Sequence, residues 1–492
     1  MDVGLTGVLT TLLLLLSVLW FLAWRNDKKR SQLPPGPAPW PVLGNLWQKD
    51  ILPLYRTYEK VREELAVLGL GVKPAVVLCG YEVVKDALLG HYEEFGGRPE
   101  IPLLMQLSKD YGFVSHDEEK WRELRRFTLS TLRDFGMGKS SMSWRVQQEA
   151  QHLVDLLAKL RGNAFEPMTM FRHAAANVIC SVVFGSRYSY SDKAFLELLN
   201  MIGNYISFFL SPIAMVYNTF PNIMHHLPGP HKKALDECEK LKDYIREKVE
   251  LHKLTLDPSC PRDYIDCFLM KAEKEKRSIY SNEDLVMSVF DLFGAGTVTT
   301  SNSLVFFLLI LAKYPHIQAK VQEEIDAVVG PGRVPSTEDK LRMPYTNAVI
   351  HEMQRFHKSR TENFPRMTTQ DVVFRGHTIP KGTAVIPVYS SVHMDPTQWE
   401  NPKEVDPGHF LDGKGEFRKR DAFMPFSAGK RVCPGEALAR IELFLFLTTL
   451  LQNFTFQLAV EHEEMDLFSL WLKIERKVIP GKFFAIQRPV SA

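Results

Sequence analysis

The chain has 492 residues, a hydrophobic fraction of 45% and a formal net charge of +2. It is apolar enough for a large core, and too nearly neutral for nucleic acid as its main partner, since a phosphate-binding surface shows as a strongly basic balance. Six cysteines, at 79, 180, 238, 260, 267 and 433, form no CxxC pair or other metal spacing, and they read as scattered reduced thiols of a cytosolic environment.

In chain order, residues 3–24 carry no charge and are long enough to cross a bilayer as a helix. A cleaved signal peptide would have a shorter apolar core followed by a small-residue site. Here RNDKKR follows, so a retained single-pass anchor is expected. Arg25, Lys28, Lys29 and Arg30 lie after the span and only Asp2 precedes it, which by the positive-inside rule leaves the body in the cytosol. Residues 1–30 are thus the anchor with its basic stop. A connector over 31–45 contains LPPGPAPWPVLGN, with five prolines, and is expected to be stiff and extended. Residues 46–492 show no repeat and no second break in composition, as one large domain would.

Within that domain, β-branched runs at 72–80 and 371–392, the latter punctuated by Pro-Lys-Gly, predict strands. Apolar periodicity predicts helices over 118–133, 232–253, 281–313, 315–329, 345–357 and 435–452. The expected fold class is mainly α with a small β portion.

The segment 281–313 opens with Ser281, a good N-cap, with Asp284 in the capping-box position. It would run about nine turns. Its middle reads Gly294-Ala295-Gly296-Thr297, although each interior glycine costs about 1 kcal/mol relative to alanine. Two readings stand: close helix packing, or backbone approach to a flat ligand with a local opening of the hydrogen-bond ladder.

The stretch FSAGKRVCPGE (426–436) carries the one cysteine with an unusual setting. Pro434 suits a first helical position, which puts Cys433 at a helix N-terminus where a thiolate is favoured. An inert buried cysteine does not explain the surrounding glycines and charges. A catalytic thiol would want a protease-like signature, which is missing. A thiolate ligand to haem iron fits the surroundings.

The pattern F-x-x-G-x-R-x-C-x-G, filled by Phe426, Gly429, Arg431, Cys433 and Gly435, resembles the haem-binding loop of the cytochromes P-450. Glu352 and Arg355 resemble the family's ExxR pair, and DPGHF (406–410) resembles the segment completing that ion-pair cluster, with His409 where many members have Arg. AGTVTT (295–300) falls where the family has its oxygen-binding groove. WRELRRF (121–127) resembles the family's W-x-x-x-R. FGAGT, YPHIQAKVQEEID, FRGHTIPKGT and DPGHFLD are closest to the microsomal, vertebrate-type family 2 enzymes. The likeness spans essentially the whole chain.

The resemblance implies the cytochrome P-450 fold, with 46–492 as a haem-thiolate catalytic domain in the endoplasmic reticulum membrane. It implies haem b (iron protoporphyrin IX) as cofactor, ligated by Cys433 with Phe426 and Gly435 beside it. Trp121, Arg125, Arg98, Arg366 and Arg431 would be propionate partners, and arginine's planar fork suits a carboxylate. The implied reaction is monooxygenation of a lipophilic xenobiotic, steroid or fatty acid. Electrons come from NADPH through a flavin-containing NADPH-cytochrome reductase, with a small cytochrome b as a further donor. Lys430, Arg418, Lys419, Arg420, Arg122 and Arg126 are candidates for the face meeting the reductase. Ala295, Gly296 and Thr299 would form the catalytic stretch of the long helix. Phe113, Phe208, Phe290, Phe293, Ala295, Phe364 and Leu470 would line the substrate pocket.

One residue departs from the family pattern. The usual acid before the threonine is Val298 here, which neither donates nor accepts a hydrogen bond. Thr299 would then work through water alone. The alternatives are a haem-thiolate isomerase or dehydratase acting on lipid hydroperoxides, and a poorly coupled haem-binding protein.

Overall fold

The computed structural model describes residues 7, 33–40, 44–45, 65–70, 73–114, 118–135, 140–357, 364–459, 466–475 and 481–489. The expected anchor over 3–24 lies outside the described residues apart from Gly7.

Strands β1 (Leu65–Leu70) and β2 (Lys73–Leu78) pair antiparallel. The helices that build the body are α1 (Pro102–Ser108), α2 (Glu118–Asp134), α3 (Ser140–Lys159), α4 (Pro167–Val183), α5 (Lys193–Phe209), α6 (Pro212–Thr219) and α7 (Pro230–Thr255). They are followed by α8 (Tyr264–Glu275), α9 (Asn282–Lys313), α10 (Pro315–Val328) and α11 (Pro344–Phe356). Then come β3 (Arg366–Met367), β4 (Val372–Phe374), β5 (His377–Ile379), β6 (Ala384–Pro387), α12 (Glu436–Asn453), β7 (Phe454–Leu458), α13 (Leu467–Glu475) and β8 (Phe483–Gln487).

The sheet runs β1-β2-β6-β3, with β2 and β6 parallel (Ala75 opposite Ala384) and β3 antiparallel to β6. Before it, the proline-rich segment lies against β1, where the Val67 N–H donates to the Pro35 carbonyl at 2.9 Å. A Cβ on Gly36 would stand 2.1 Å from the Val67 oxygen, so only glycine allows this approach. The β4–β5 hairpin turns through Arg375 (φ 48) and Gly376 (φ 83), the two left-handed positions of a tight hairpin.

The expectation of strand throughout 371–392 fails at its end. Tyr389–His393 forms a single buried helical turn. Turning there lets the Ser391 hydroxyl accept the Gly80 N–H at 2.7 Å and the His393 ring accept the Met424 N–H at 3.0 Å. A straight strand would leave those donors without partners, at a cost of about 1–3 kcal/mol each.

α9 starts as its sequence predicts. The Ser281 hydroxyl accepts the Asp284 N–H at 3.1 Å, and Pro315 begins α10 after Tyr314 ends α9. The helix is apolar and long enough to cross a membrane, but 61% of its most apolar window is buried inside the protein. It is the axis of the main core, with 304–311 buried on every face. A helix apolar all round needs such a sheath, which α3, α4, α12 and α13 contribute to. Gln318 of α10 stitches this bundle to β7, donating to the Phe456 carbonyl at 3.1 Å and accepting the Phe456 N–H at 2.7 Å.

The helix is continuous through its glycines, so the expected opening of the ladder is not observed. A Cβ on Gly294 would meet Ile202 of α5 at 2.9 Å, and one on Gly296 would meet Ile179 of α4 at 3.0 Å. Close helix packing therefore accounts for both glycines.

Candidate functional site

The cysteine loop is built by backbone geometry. Gly429 has φ 72, and a Cβ there would stand 2.2 Å from the Leu88 carbonyl oxygen, so glycine alone lets the loop press on the 86–90 turn. Gly429–Arg431 makes one tight turn, and the Cys433 N–H donates to the Phe426 carbonyl at 3.0 Å, closing the loop. α12 begins at Glu436 with Gly435 as N-cap, two residues later than a Pro434 start would give. Cys433 still gains the helix end, because the N–H groups of Gly435 and Glu436 donate to its sulfur.

Its thiol is nonetheless not depressed. Cys433 keeps exposed surface, but protein atoms crowd its sulfur. That burial pushes the thiol up, outweighing the downward pull of the two N–H groups and Arg125. Burial thus opposes the thiolate, and a cation at the sulfur would favour it, because coordination deprotonates a thiol outright.

Around the loop, arginines meet. Arg431 stacks on the Trp121 ring at 3.7 Å from its centre and donates from Nε to the Gly96 carbonyl at 3.1 Å. Arg125 also lies near Trp121, 5.9 Å from the ring centre, and donates to the Val432 carbonyl beside the cysteine. Arg98 donates to the carbonyls of Phe364 (3.0 Å) and Pro365 (2.9 Å), next to Arg366. Arg366 is buried and donates to the Ser427 hydroxyl at 2.6 Å. Burial lowers Arg366, and burial together with the repulsion of Arg366 lowers Arg125. Among the described residues neither meets a carboxylate. Two desolvated guanidinium groups repelling one another beside a cysteine fit an anionic, metal-bearing group, and the haem propionates and iron match that donor set.

Behind the loop lies a fully buried ion-pair cluster. Arg355 donates from Nε and Nη2 to the two Glu352 oxygens at 2.7 and 2.6 Å, from Nη1 to the His393 and Pro402 carbonyls, and from Nη2 to the Glu404 carbonyl. Every guanidinium proton has an acceptor, as a buried charge requires. His409 Nδ1 reaches both Glu352 oxygens at 3.2 Å, and its Nε2 meets the Glu400 carbonyl. Burial alone would lower His409, but Glu352 more than offsets it and holds the imidazole above its ordinary value. Histidine thus occupies the third corner, with its protonated form favoured by Glu352.

On α9, Ala295 and Thr299 stand one turn apart as the exposed positions in the middle of a buried helix, which marks a cleft wall. The Thr299 hydroxyl donates to the Ala295 carbonyl at 2.8 Å. Gly296 turns toward Ile179 instead. Of the aromatic set, Phe290 meets Tyr205 at 6.2 Å, Tyr205 meets Phe209 at 6.2 Å, and Phe209 stacks on Phe364 at 6.1 Å. Phe113 is buried on the segment after α1. Phe208 turns the other way, into a cluster with Leu103, Ala214, Tyr217 and Ala234. Phe293 packs on Phe184 in the main core, and Leu470 is buried there too.

Sequence reading missed Tyr205, Asp291 and Glu442. Asp291 is pushed up to about 8 by burial, against the N–H groups of Phe113 and Val114 that it accepts. The signal for both acids was present as a single carboxylate within an apolar helical run, DLF and IELFLFL.

The family model for cytochrome P450 matches residues 34–479. The chain belongs to the cytochrome P450 family. It is 47% identical to cytochrome P450 2C5 of Oryctolagus cuniculus over 458 residues, 92% of this chain and 93% of that one. It is 46% identical to cytochrome P450 2C11 of Rattus norvegicus, covering 93% of each chain, and 46% identical to cytochrome P450 2C23 of Rattus norvegicus, covering 98% of each. As a microsomal-type cytochrome P450 it takes haem and is a monooxygenase supplied by a reductase, with lipophilic substrates. The comparisons lend no support to the isomerase alternative.

Proposed function

We propose that Cys433 would supply the thiolate ligand to the haem iron of this monooxygenase and that Arg98, Arg125, Arg366 and Arg431, with Trp121, would hold the haem propionates. The observation that carries this is the pair of desolvated guanidinium groups, Arg125 and Arg366, which among the described residues meet no carboxylate beside the cysteine loop. When bound, the haem supplies the oxygen activation that thiolate ligation favours.

The remaining work falls to side chains. The Gly435 and Glu436 N–H groups hold the Cys433 sulfur. Phe290, Tyr205, Phe209 and Phe364 make an apolar wall that orients a lipophilic substrate and keeps water from it. Thr299 is the hydroxyl able to pass a proton at the cleft, once it turns from the Ala295 carbonyl. Val298 offers it no acid, so its protons come through water.

The protein's own membrane is that of the endoplasmic reticulum. Residues 3–24 serve as its anchor with the catalytic domain cytosolic, which full protection of the body from protease in sealed microsomes would contradict. Arg122, Arg126, Arg418 and Lys419 are the exposed members of the basic set and form the reductase-facing patch, a small cytochrome b sharing it. Lys430 and Arg420 are half-buried and engaged with Glu93 and the Gln398 carbonyl, while Arg126 pairs with Glu123 at the surface. The test is turnover of a lipophilic probe in membranes with reductase. Hydroxylated product that depends on NADPH is expected; turnover of hydroperoxides alone would refute the assignment.

A further inference from the structure

The helix carrying Thr299 and the helix that starts beside Cys433 touch through one side-chain hydrogen bond. The Thr300 hydroxyl of α9 donates to Glu442 Oε2 of α12 at 2.9 Å. Both residues are buried, at 3% and 2% exposure. Among the described residues the second oxygen, Oε1, has no hydrogen-bond partner. Leu443, Phe444, Leu445 and Ile441 flank Glu442 in sequence and are buried with it.

Such a carboxyl can persist there only if it is neutral, because an isolated buried carboxylate costs far more than protonation. Burial pushes Glu442 up to about 8 while the Thr300 hydroxyl pulls the other way, and among the described residues no charged group acts on it. Van der Waals contact alone would hold the two helices together without choosing a rotation. A directional hydrogen bond in a dry interface does choose one. Consecutive residues of an α-helix are about 100° apart around its axis, so fixing Thr300 against α12 also fixes where Thr299 points.

We propose that Thr300 and Glu442 are a positioning pair, a neutral hydrogen-bonded brace that sets the rotation of the Thr299 helix against the helix following Cys433. The pair rests on the monooxygenase reading of the site and adds to it. With Val298 in place of an acid, placement of Thr299 depends on this brace rather than on a neighbouring carboxylate of its own helix. The pair acts through Thr299.

The test uses the full-length holoprotein in membranes and three variants. Thr300→Val removes the donor at nearly constant volume, Thr300→Ser restores it, and Glu442→Gln keeps a neutral acceptor. The first readout is independent of turnover: the C–O stretching band of the reduced carbon monoxide complex, which reports the distal surroundings. Thr300→Val should shift or broaden it, while Thr300→Ser and Glu442→Gln stay at the wild-type position.

The second readout is the share of NADPH electrons recovered in hydroxylated product. It should fall at least three-fold in Thr300→Val, with haem content and KM unchanged, and stay within two-fold of wild type in the other variants. The third is thermal stability against pH. A carboxyl whose folded value is raised contributes fully below about 4.5 and loses that contribution as pH rises toward about 8. The wild-type midpoint should therefore fall relative to Glu442→Gln across that window.

A Thr300→Val protein with only a lower thermal midpoint, its band and coupling intact, would overturn the brace. So would a Glu442→Gln protein as perturbed as Thr300→Val, which would mean that an ionised carboxylate is required. Absence of NADPH-dependent product in the wild type would instead refute the monooxygenase reading, and the carbon monoxide band would still decide the brace.

Discussion

Replacing Gly429 with alanine puts the tightest point of the cysteine loop under load. The residue has φ 72, and the added Cβ would sit 2.2 Å from the Leu88 oxygen and 3.3 Å from the Leu88 carbon. Left-handed backbone costs an alanine about 1–2 kcal/mol. Overpacking against a backbone carbonyl costs about 1–3 kcal/mol more, since no side chain can swing aside. The sum, about 2–5 kcal/mol, is a large part of a typical folding stability of about 5–15 kcal/mol. Gly435→Ala is the matched control. Gly435 has φ −90 and ψ 5, and its added Cβ would stand 3.9 Å from the Cys433 sulfur, an ordinary contact. Haem per polypeptide and thermal midpoint are the assays. Gly429→Ala should lose most of its haem and unfold well below wild type, while Gly435→Ala keeps both. Equal behaviour of the two variants would refute the claim that the loop's approach to the 86–90 turn requires glycine.

The remaining predictions concern the ion-pair cluster and the missing acid. Arg355→Lys loses the two-pronged contact with Glu352 and three carbonyl acceptors, and should cost about 3 kcal/mol and much of the haem; unchanged denaturation and haem content would contradict this. His409 is raised in the folded protein and Glu352 is lowered. The His409 contribution is therefore complete below about pH 6.5 and lost as pH rises through its folded value, whereas that of Glu352 is complete above about pH 4.5 and lost as pH falls through its own. His409→Arg should flatten the alkaline side of the stability profile, and an identical alkaline slope would count against the assignment. Val298→Glu should raise the fraction of NADPH converted into product; no change would mean that water already delivers protons fully.

What could be read from the sequence divides along physical lines. The start of α9 at Ser281 and the stop at Pro315 are local capping chemistry, and both are present in the structure. So are the helical spans with strong apolar period, such as α2, α7 and α10. The glycines at 294 and 296 were ambiguous because their reason lies in other helices, at Ile202 and Ile179. Tyr389–His393 reads as strand by composition, and only the distant Gly80 and Met424 donors explain why it turns. Glu442 shows the same limit. An acid in IELFLFL looks like a flaw until Thr300, 142 residues away in sequence, is seen against it. Cys433 shows the same division: the helix end that favours a thiolate is local, but the burial that opposes it comes from the whole fold.

The central claim is that Cys433 supplies a thiolate to haem iron, and the spectrum of the reduced carbon monoxide complex tests it most directly. Wild-type protein should give the strongly red-shifted Soret band of thiolate ligation, and Cys433→His protein that retains haem should lack it. A wild-type band at the unshifted position, or a red-shifted band surviving in Cys433→His, would contradict the account.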